Sequence, residues 1–113
     1  MTIKIGSDHE GVTEVSLEAL RHLQAYDHQL EEVRIIRHQN GSFECQFIFK
    51  GNLMYSASGF QIGYGGEGPR GLWKAIQMFR PKDIEGDFSK TQISQLARIR
   101  SWRWTPWKGF RPL

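Results

Sequence analysis

The chain has 113 residues, of which 39% are hydrophobic and 24% charged, and its formal net charge is +3. This length fits one domain spanning residues 1–113, and the composition excludes a disordered chain, collagen and a coiled coil. No run of about 18 apolar residues is present to cross a bilayer, and residues 1–11 lack the basic start and apolar stretch of a signal peptide. We therefore expect a cytoplasmic protein with no membrane partner.

Charge is distributed unevenly along the chain. Residues 1–32 contain seven acids against two bases, a net charge of −5, whereas residues 88–113 contain six bases and no acid. The two ends carry opposite electrostatic fields. They could attract each other within one chain or across a dimer, or the basic end could face a polyanion.

The first predicted element is an amphipathic helix from Val12 to about Ala25. Its apolar residues recur at helical spacing: Val12, Val15, Ala19, Leu20 and Leu23. Either a capping box formed by Ser7 and Glu10, or Thr13 as the N-cap residue, would begin the helix.

The middle of the chain predicts an antiparallel β-meander of three to four strands. An Asn-Gly pair at 40–41 separates the apolar segments 33–37 and 43–49, and this pair is typical of a two-residue type I′ turn. The Gly-Asn pair at 51–52 favours a second two-residue turn, of type II′, before the next strand.

These turns set the predicted register. They place Ile36 opposite Cys45 and Phe49 opposite Met54, so that both faces of the sheet are apolar. One face carries Ile36, Phe43, Cys45, Phe47, Phe49, Met54 and Phe60. The other face carries Val33, Ile35, Ile48, Leu53 and Tyr55. Because helices can cover one face, the second apolar face favours a homodimer.

Two further helices are predicted after the sheet. Gly68 and Pro69 suit the N-cap and first positions of one, which carries an apolar stripe and ends before Pro81. The other begins with a capping box at 89–92 and runs to about Trp102, and an irregular tail follows it. The predicted fold class is α+β, an antiparallel meander of three to four strands packed with an N-terminal helix and two C-terminal helices.

The segment 60–72 carries the clearest functional signal. Five of the twelve glycines fall within nine residues here, between a predicted strand and a predicted helix. Glycines allow a ligand to approach the backbone, and the N-terminus of a helix attracts anions. The candidate ligand-binding residues are Tyr64, Gly65, Gly66, Glu67, Gly68 and Arg70. Backbone amides would hold a phosphate, Arg70 would supply charge, Tyr64 would stack on a base and Glu67 would bind a ribose hydroxyl.

Two other interpretations of this segment remain open. The glycines could allow a helix to pack closely on the sheet, or they could form a subunit contact. Glu67 could also pair with Arg70, three residues later. The segment lacks the lysine and hydroxyl of a Walker A motif, and its G-x-G-x-x-G spacing lacks the βαβ context of a Rossmann fold.

The string Phe60-x-x-Gly63-Tyr64-Gly65-Gly66-x-Gly68-Pro69-x-x-Leu72 resembles a G-Y-G-G-x-G-P-x-x-L signature of small bacterial and phage proteins of unknown function. A meander, a glycine loop and two C-terminal helices are also similar to the phage Thoeris anti-defence proteins. Those proteins sequester cyclic ADP-ribose signals without hydrolysing them. This second resemblance implies a protein that binds and withholds a nucleotide.

No combination of residues predicts catalysis. Cys45 alternates with Phe43 and Phe47, which is typical of a core residue, and as the single cysteine it excludes an intramolecular disulfide and a cysteine-based zinc site. The four histidines have no recurring ligand spacing. We therefore expect no metal and no cofactor, and a protein that is not an enzyme.

The C-terminal segment supports an alternative function. Its basic and aromatic residues could neutralise phosphates and stack on bases, as in a nucleic-acid or protein-binding adaptor. The candidate residues are Arg98, Arg100, Arg103, Trp104 and Trp107. The preferred hypothesis is non-catalytic binding of a phosphorylated small molecule, a nucleotide or cyclic signalling nucleotide, at the glycine loop.

Overall fold

The computed structural model describes residues 2–26, 28–62, 66–79, 93, 96 and 99–113. Within these residues the chain forms six strands and two helices. In chain order they are β1 (Ile3–Ser7), α1 (Thr13–Gln24), β2 (Leu30–Arg37), β3 (Phe43–Phe49), β4 (Leu53–Ala57), α2 (Glu67–Phe79), β5 (Trp102–Thr105) and β6 (Gly109–Pro112). All strands lie in one sheet with the order β1-β4-β3-β2-β5-β6. The β1–β4 pair is parallel and the other pairs are antiparallel.

The predicted fold class is therefore wrong, although the domain is α+β. The sheet has six strands and one parallel pair, because β1, β5 and β6 are added to the meander formed by β2, β3 and β4. The capping box at 89–92 lies outside the described residues, and Trp102, where the third helix was predicted to end, begins β5. The tail predicted to be irregular pairs as a hairpin.

The predicted turns are each one residue too short. The amide of His38 donates to the carbonyl of Ser42 at 2.9 Å, so the first loop contains three residues, and its Gly41 has a φ of 88°. The second loop also contains three residues, because Phe49 pairs with Leu53. Gly51 and Asn52 both adopt positive φ there, at 90° and 60°.

Side chains alternate between the two faces along each strand. Because each loop is one residue longer than predicted, the residues of neighbouring strands that share a face differ from the predicted ones. One face, here called the helix-covered face, carries Val33, Ile35, Phe43, Cys45, Phe47, Phe49, Tyr55, Ala57 and Trp104. The opposite face, here called the polar face, carries Glu32, Arg34, Glu44, Gln46, Ser56, Arg103 and Arg111, with Ile36, Ile48 and Met54 as its apolar residues. The second apolar face that favoured a homodimer is thus not found, and homodimerisation stays a prediction.

Both described helices pack on the helix-covered face. Leu17 and Leu20 of α1 and Leu72 and Ile76 of α2 belong to the same buried cluster as the sheet residues. The ring of Phe79 meets that of Phe49 edge-on at 5.1 Å. The two predicted helices are therefore confirmed, although α2 begins at Glu67 and not after an N-cap at Gly68.

The predicted start of α1 is wrong. The residue in the N-cap position is Val12, and no side chain caps the helix. Ser7 instead belongs to β1, and the Thr13 hydroxyl donates to the carbonyl of Gly59 at 2.7 Å. This hydrogen bond ties the beginning of α1 to the end of β4.

Candidate functional site

The two helices begin at the same end of the sheet. β1 and β4 are parallel neighbours, and each leads through a loop into a helix. Near their N-termini, a Cβ on Gly71 of α2 would lie 2.3 Å from the Thr13 methyl carbon of α1. Near their C-termini, the Gln24 side chain donates to the carbonyl of Met78 at 3.1 Å. The helices therefore run parallel, and both present their N-termini at the carboxyl ends of β1 and β4.

Helix N-termini in general favour anions. The first amides of a helix point outward, and the helix dipole places partial positive charge at the N-terminus. In sheets with parallel strands, ligands bind beyond the carboxyl ends of those strands. Two parallel helices concentrate both effects at one place.

Two glycines allow other parts of the chain to approach α1 closely, one in the segment after β4 and one in α2. A Cβ on Gly59 would lie 2.5 Å from the carbonyl oxygen of Val12 and 2.7 Å from the hydroxyl of Ser16. A Cβ on Gly71 would also lie 3.0 Å from the ring of Phe60. Close packing therefore explains Gly71, but it is packing against α1 and Phe60 and not the packing of a helix on the sheet that one interpretation of the glycine-rich segment expected. It leaves Gly66 and Gly68 for other roles.

The predicted ligand-binding residues lie at the beginning of α2 as far as they are described. Tyr64 and Gly65 lie outside the described residues. Gly66 precedes the helix, and its carbonyl accepts the amide of Arg70 at 3.5 Å. Glu67 and Arg70 are exposed and Gly68 is buried.

The first turn of α2 presents few amides. Since Pro69 has no N–H and Gly68 is buried and already has an interaction partner, the candidate donor of that turn is the amide of the exposed Glu67. No ion pair joins Glu67 to Arg70 among the described residues, so the possible pairing between them is not found. The Arg70 guanidinium therefore lies in the first helical turn without neutralisation by Glu67, which favours a bound anion there.

Asp8 connects the two loops and was not predicted as a site residue. Its carboxylate accepts hydrogen bonds from the hydroxyls of Ser16 at 3.0 Å and Tyr55 at 2.9 Å. It also accepts the amide of Ser58 at 2.9 Å and the hydroxyl of the same residue. Burial raises the pKa of Tyr55, and the hydrogen bond to Asp8 raises it further. The carboxylate thus fixes the ends of β1 and β4 and the first turns of α1 relative to one another.

A polar cleft of about 350 Å³ lies beside Asp8. It is lined by Lys4, Asp8, His9, Glu10, Gly11, His38, Ser42, Phe43, Glu44, Ser56, Ser58 and Gln61. This volume lies at the lower end of the range for small-molecule sites. The cleft opens at the same strand ends, because Ser58 and Gln61 begin the loop that leads to α2.

Glu44 organises the other wall of the cleft. Its carboxylate lies 3.2 Å from the His38 ring nitrogen and accepts hydrogen bonds from Gln46 at 3.0 Å and Ser56 at 2.8 Å. Burial opposes ionisation, but these hydrogen bonds and the charge of His38 together lower the pKa of Glu44. The carboxylate therefore stays ionised with its acceptors largely occupied.

Gln61 is held in the cleft by the backbone. Its side-chain oxygen accepts the amide of Phe43 at 2.7 Å, and its nitrogen donates to the carbonyl of the same residue at 2.9 Å. The amide side chain thereby extends the pairing of β3 beyond the last residue of β4. No sequence pattern predicts that a glutamine side chain pairs with the backbone in place of a strand residue.

The structure bears on Cys45 and on metal binding within the described residues. Cys45 is fully buried, and burial raises the pKa of its thiol, so the prediction of a core residue is confirmed. No group of three or more potential metal ligands occurs in the described part of the chain.

The C-terminal candidate residues do not converge. Trp104 is 2% exposed and belongs to the core, whereas Arg103 lies on the polar face. The Arg100 guanidinium lies 5.9 Å from the Trp102 ring centre, and Trp107 is exposed. Arg98 lies outside the described residues.

The acidic and basic ends of the chain also meet within the molecule. Arg103 Nε lies 2.7 Å from Glu32 Oε2, an ion pair in which the N–H is not aligned for a hydrogen bond. Attraction within one chain, one of the possibilities left open by the charge distribution, therefore occurs at this contact.

Neither α1 nor α2 is long and apolar enough to cross a membrane. No protein-family model, curated protein or solved structure matches this chain. The inference of function therefore depends on the geometry described above.

Proposed function

We propose that this protein binds a phosphorylated small molecule, a nucleotide or cyclic signalling nucleotide, without changing it chemically. The site lies at the carboxyl ends of β1 and β4. The observation that carries this proposal is the parallel arrangement of α1 and α2, whose N-termini point to the same end of the sheet.

The phosphate binds at the beginning of α2. The amide of Glu67 faces it, and Arg70 neutralises its charge from the first turn. Gly66 allows the phosphate to approach the backbone, since no Cβ is present there. In this proposal Tyr64 and Gly65 complete the loop, Tyr64 by stacking on the base.

The polar cleft receives the remaining polar part of the ligand. Its Lys4, His9 and Glu10 are among the lining side chains that the hydrogen-bond networks of Asp8 and Glu44 do not use. Glu67 is the candidate for a ribose hydroxyl. A cytoplasmic protein with such a site would withhold a nucleotide from other proteins.

Binding without catalysis fits the state of the two acids in the cleft. The carboxylates of Asp8 and Glu44 each accept several hydrogen bonds from neighbouring side chains. A general base needs an acceptor that is free to take a proton from the substrate. These acids hold the cleft together instead.

Titration calorimetry with a panel of nucleotides and cyclic dinucleotides tests the proposal. Arg70→Ala should lower the affinity for the nucleotide by about 10-fold or more, because hydrogen bonds to a charged group contribute about 1.5–3 kcal/mol. Lys74→Ala is the matched control, since it removes an exposed positive charge one turn further along α2. Equal affinities for the two variants, or no binding by the unchanged protein, would contradict the proposal.

A further inference from the structure

A continuous row of polar residues crosses the whole polar face. Each strand contributes one member, and each member is the register partner of the next. The row reads Ser7, Ser56, Gln46, Arg34, Arg103 and Arg111, from β1 at one edge to β6 at the other. Both described helices pack on the opposite face.

Three arginines stand side by side at the β6 end of this row. Arg34 pairs in register with Arg103, which in turn pairs with Arg111. Neighbouring strands lie about 4.8 Å apart, so the three side chains occupy about 10 Å of the face. The side chains of Arg34 and Arg103 are 40% and 37% exposed, and Arg111 is also exposed.

One carboxylate positions two of these arginines. Glu32 lies 2.8 Å from Arg34 Nε and 2.7 Å from Arg103 Nε. Because each contact uses Nε, the terminal nitrogens of both guanidinium groups are left for another anion. The cluster of three arginines and one glutamate keeps an excess of positive charge.

We infer that this end of the polar face binds single-stranded nucleic acid, with the phosphodiester backbone on Arg34, Arg103 and Arg111. Guanidinium groups bind phosphate oxygens in pairs, and a row of them follows a chain of phosphates. Glu44 confines the nucleic acid to this end of the polar face, because the ionised carboxylate of Glu44 would repel phosphate groups near β3 and β4.

An exposed aromatic residue favours nucleic acid over an acidic protein as the partner. Trp107 is 68% exposed at the tip of the hairpin that carries Arg103 and Arg111. Base stacking on such a ring is independent of sequence and adds about 1–3 kcal/mol per base. An acidic peptide would use the arginines but would leave this ring exposed.

The residues differ from those of the earlier alternative and from those of the nucleotide site. Trp104 is excluded because it belongs to the core, and Arg34, Glu32 and Arg111 are added. Substitutions of these arginines leave the beginning of α2 unchanged. The nucleic-acid proposal can therefore fail while the nucleotide proposal holds, and the reverse.

Fluorescence anisotropy with labelled oligo(dT) and oligo(U) of about 12 nucleotides tests the inference, over about 50–200 mM salt. Arg103→Ala with Arg111→Ala should reduce affinity about 10-fold or more at the lowest salt. It should also flatten the slope of log affinity against log salt by about 1.4, because two phosphate contacts are lost. Glu32 keeps Arg34 as its partner in this variant.

The matched control is Lys50→Ala with Lys74→Ala, which removes the same charge from exposed positions elsewhere. It should change the affinity less than twofold. Trp107→Ala should weaken oligonucleotide binding and leave the salt slope unchanged, since stacking releases no counterions. If circular dichroism shows that the double arginine variant is unfolded, the oligonucleotide affinities of the single variants Arg111→Ala and Lys50→Ala are compared instead.

Three outcomes would overturn the inference. The first is the absence of oligonucleotide binding at the lowest salt. The second is an equal loss in the arginine and lysine variants, which would indicate general charge attraction. The third is tighter binding of a polyglutamate peptide than of the oligonucleotides through the same arginines, which would indicate an acidic protein as the partner.

Discussion

The two faces of the sheet differ in chemistry although the same strands supply both. On the helix-covered face, Phe47 and Val33 are fully buried beneath α1 and α2. On the polar face, the neighbouring residues Gln46 and Arg34 form part of a row of hydrogen-bonding side chains. The apolar contacts that stabilise the fold are therefore concentrated on the helix-covered face, whereas the partly exposed charged side chains lie on the polar face.

The largest expected effect is on the helix-covered face. Phe47→Ala should lower the free energy of unfolding by about 3–5 kcal/mol, because it removes a buried ring that meets Phe60 edge-on and leaves a cavity. Urea denaturation measures the change. Gln46→Ala, one residue away on the polar face, is the control and should cost about 1 kcal/mol or less. Similar losses for the two variants would mean that the faces are assigned wrongly.

Gly59→Ala should have the next largest effect. The added Cβ would lie 2.5 Å from the carbonyl oxygen of Val12, and backbone cannot move aside cheaply. We expect a loss of about 1–3 kcal/mol as α1 is displaced from β4, measured by thermal denaturation. A wild-type stability for Gly59→Ala would contradict the close packing of the two loops.

The pH dependence of stability tests the buried network at Asp8. Tyr55 has a raised pKa in the folded protein, so it keeps its proton when the unfolded chain, with a pKa of 10.0, loses it. Stability should therefore fall above about pH 10, at up to about 1.4 kcal/mol per pH unit. Tyr55→Phe should reduce this fall, as followed by denaturation at several pH values, and the part that remains comes from Cys45, whose buried thiol also has a raised pKa. An unchanged alkaline profile in that variant would assign the fall to other groups.

The smallest expected effect concerns Glu32. Glu32→Gln removes the negative charge between Arg34 and Arg103. It should strengthen oligonucleotide binding about threefold, since the repulsion between two charges about 6 Å apart in water is about 0.7 kcal/mol. Stability should change by about 1 kcal/mol or less. Anisotropy and urea denaturation measure the two effects. Weaker oligonucleotide binding would mean that Glu32 matters mainly by holding the arginines in place.

Local patterns predicted the elements that are decided locally. The apolar spacing around Leu20 and Leu72 placed both described helices, and the Asn-Gly and Gly-Asn pairs placed the turns between β2, β3 and β4. The register failed by one residue, because an Asn-Gly pair also suits a three-residue loop in which glycine takes positive φ. That single residue decided which face was apolar.

Non-local pairing explains what was missed. β1 is a short edge strand with an exposed Ile3, and its partner β4 lies about fifty residues away in sequence. β5 is rich in tryptophan and arginine, so its residues suggested a basic tail rather than a strand. Asp8 and Gln61 entered the candidate site only through contacts across the sheet, which no spacing in the sequence reveals.

The central claim is that a phosphorylated small molecule binds where β1 and β4 end and α1 and α2 begin. Amide chemical shifts recorded by NMR during titration with the tightest-binding nucleotide test it most directly. The account predicts that the largest changes occur at Gly11, Ser58, Gly66, Glu67 and Gly68, with little change at Arg103 and Arg111. Changes confined to β5 and β6, or no saturable change at any amide, would contradict it.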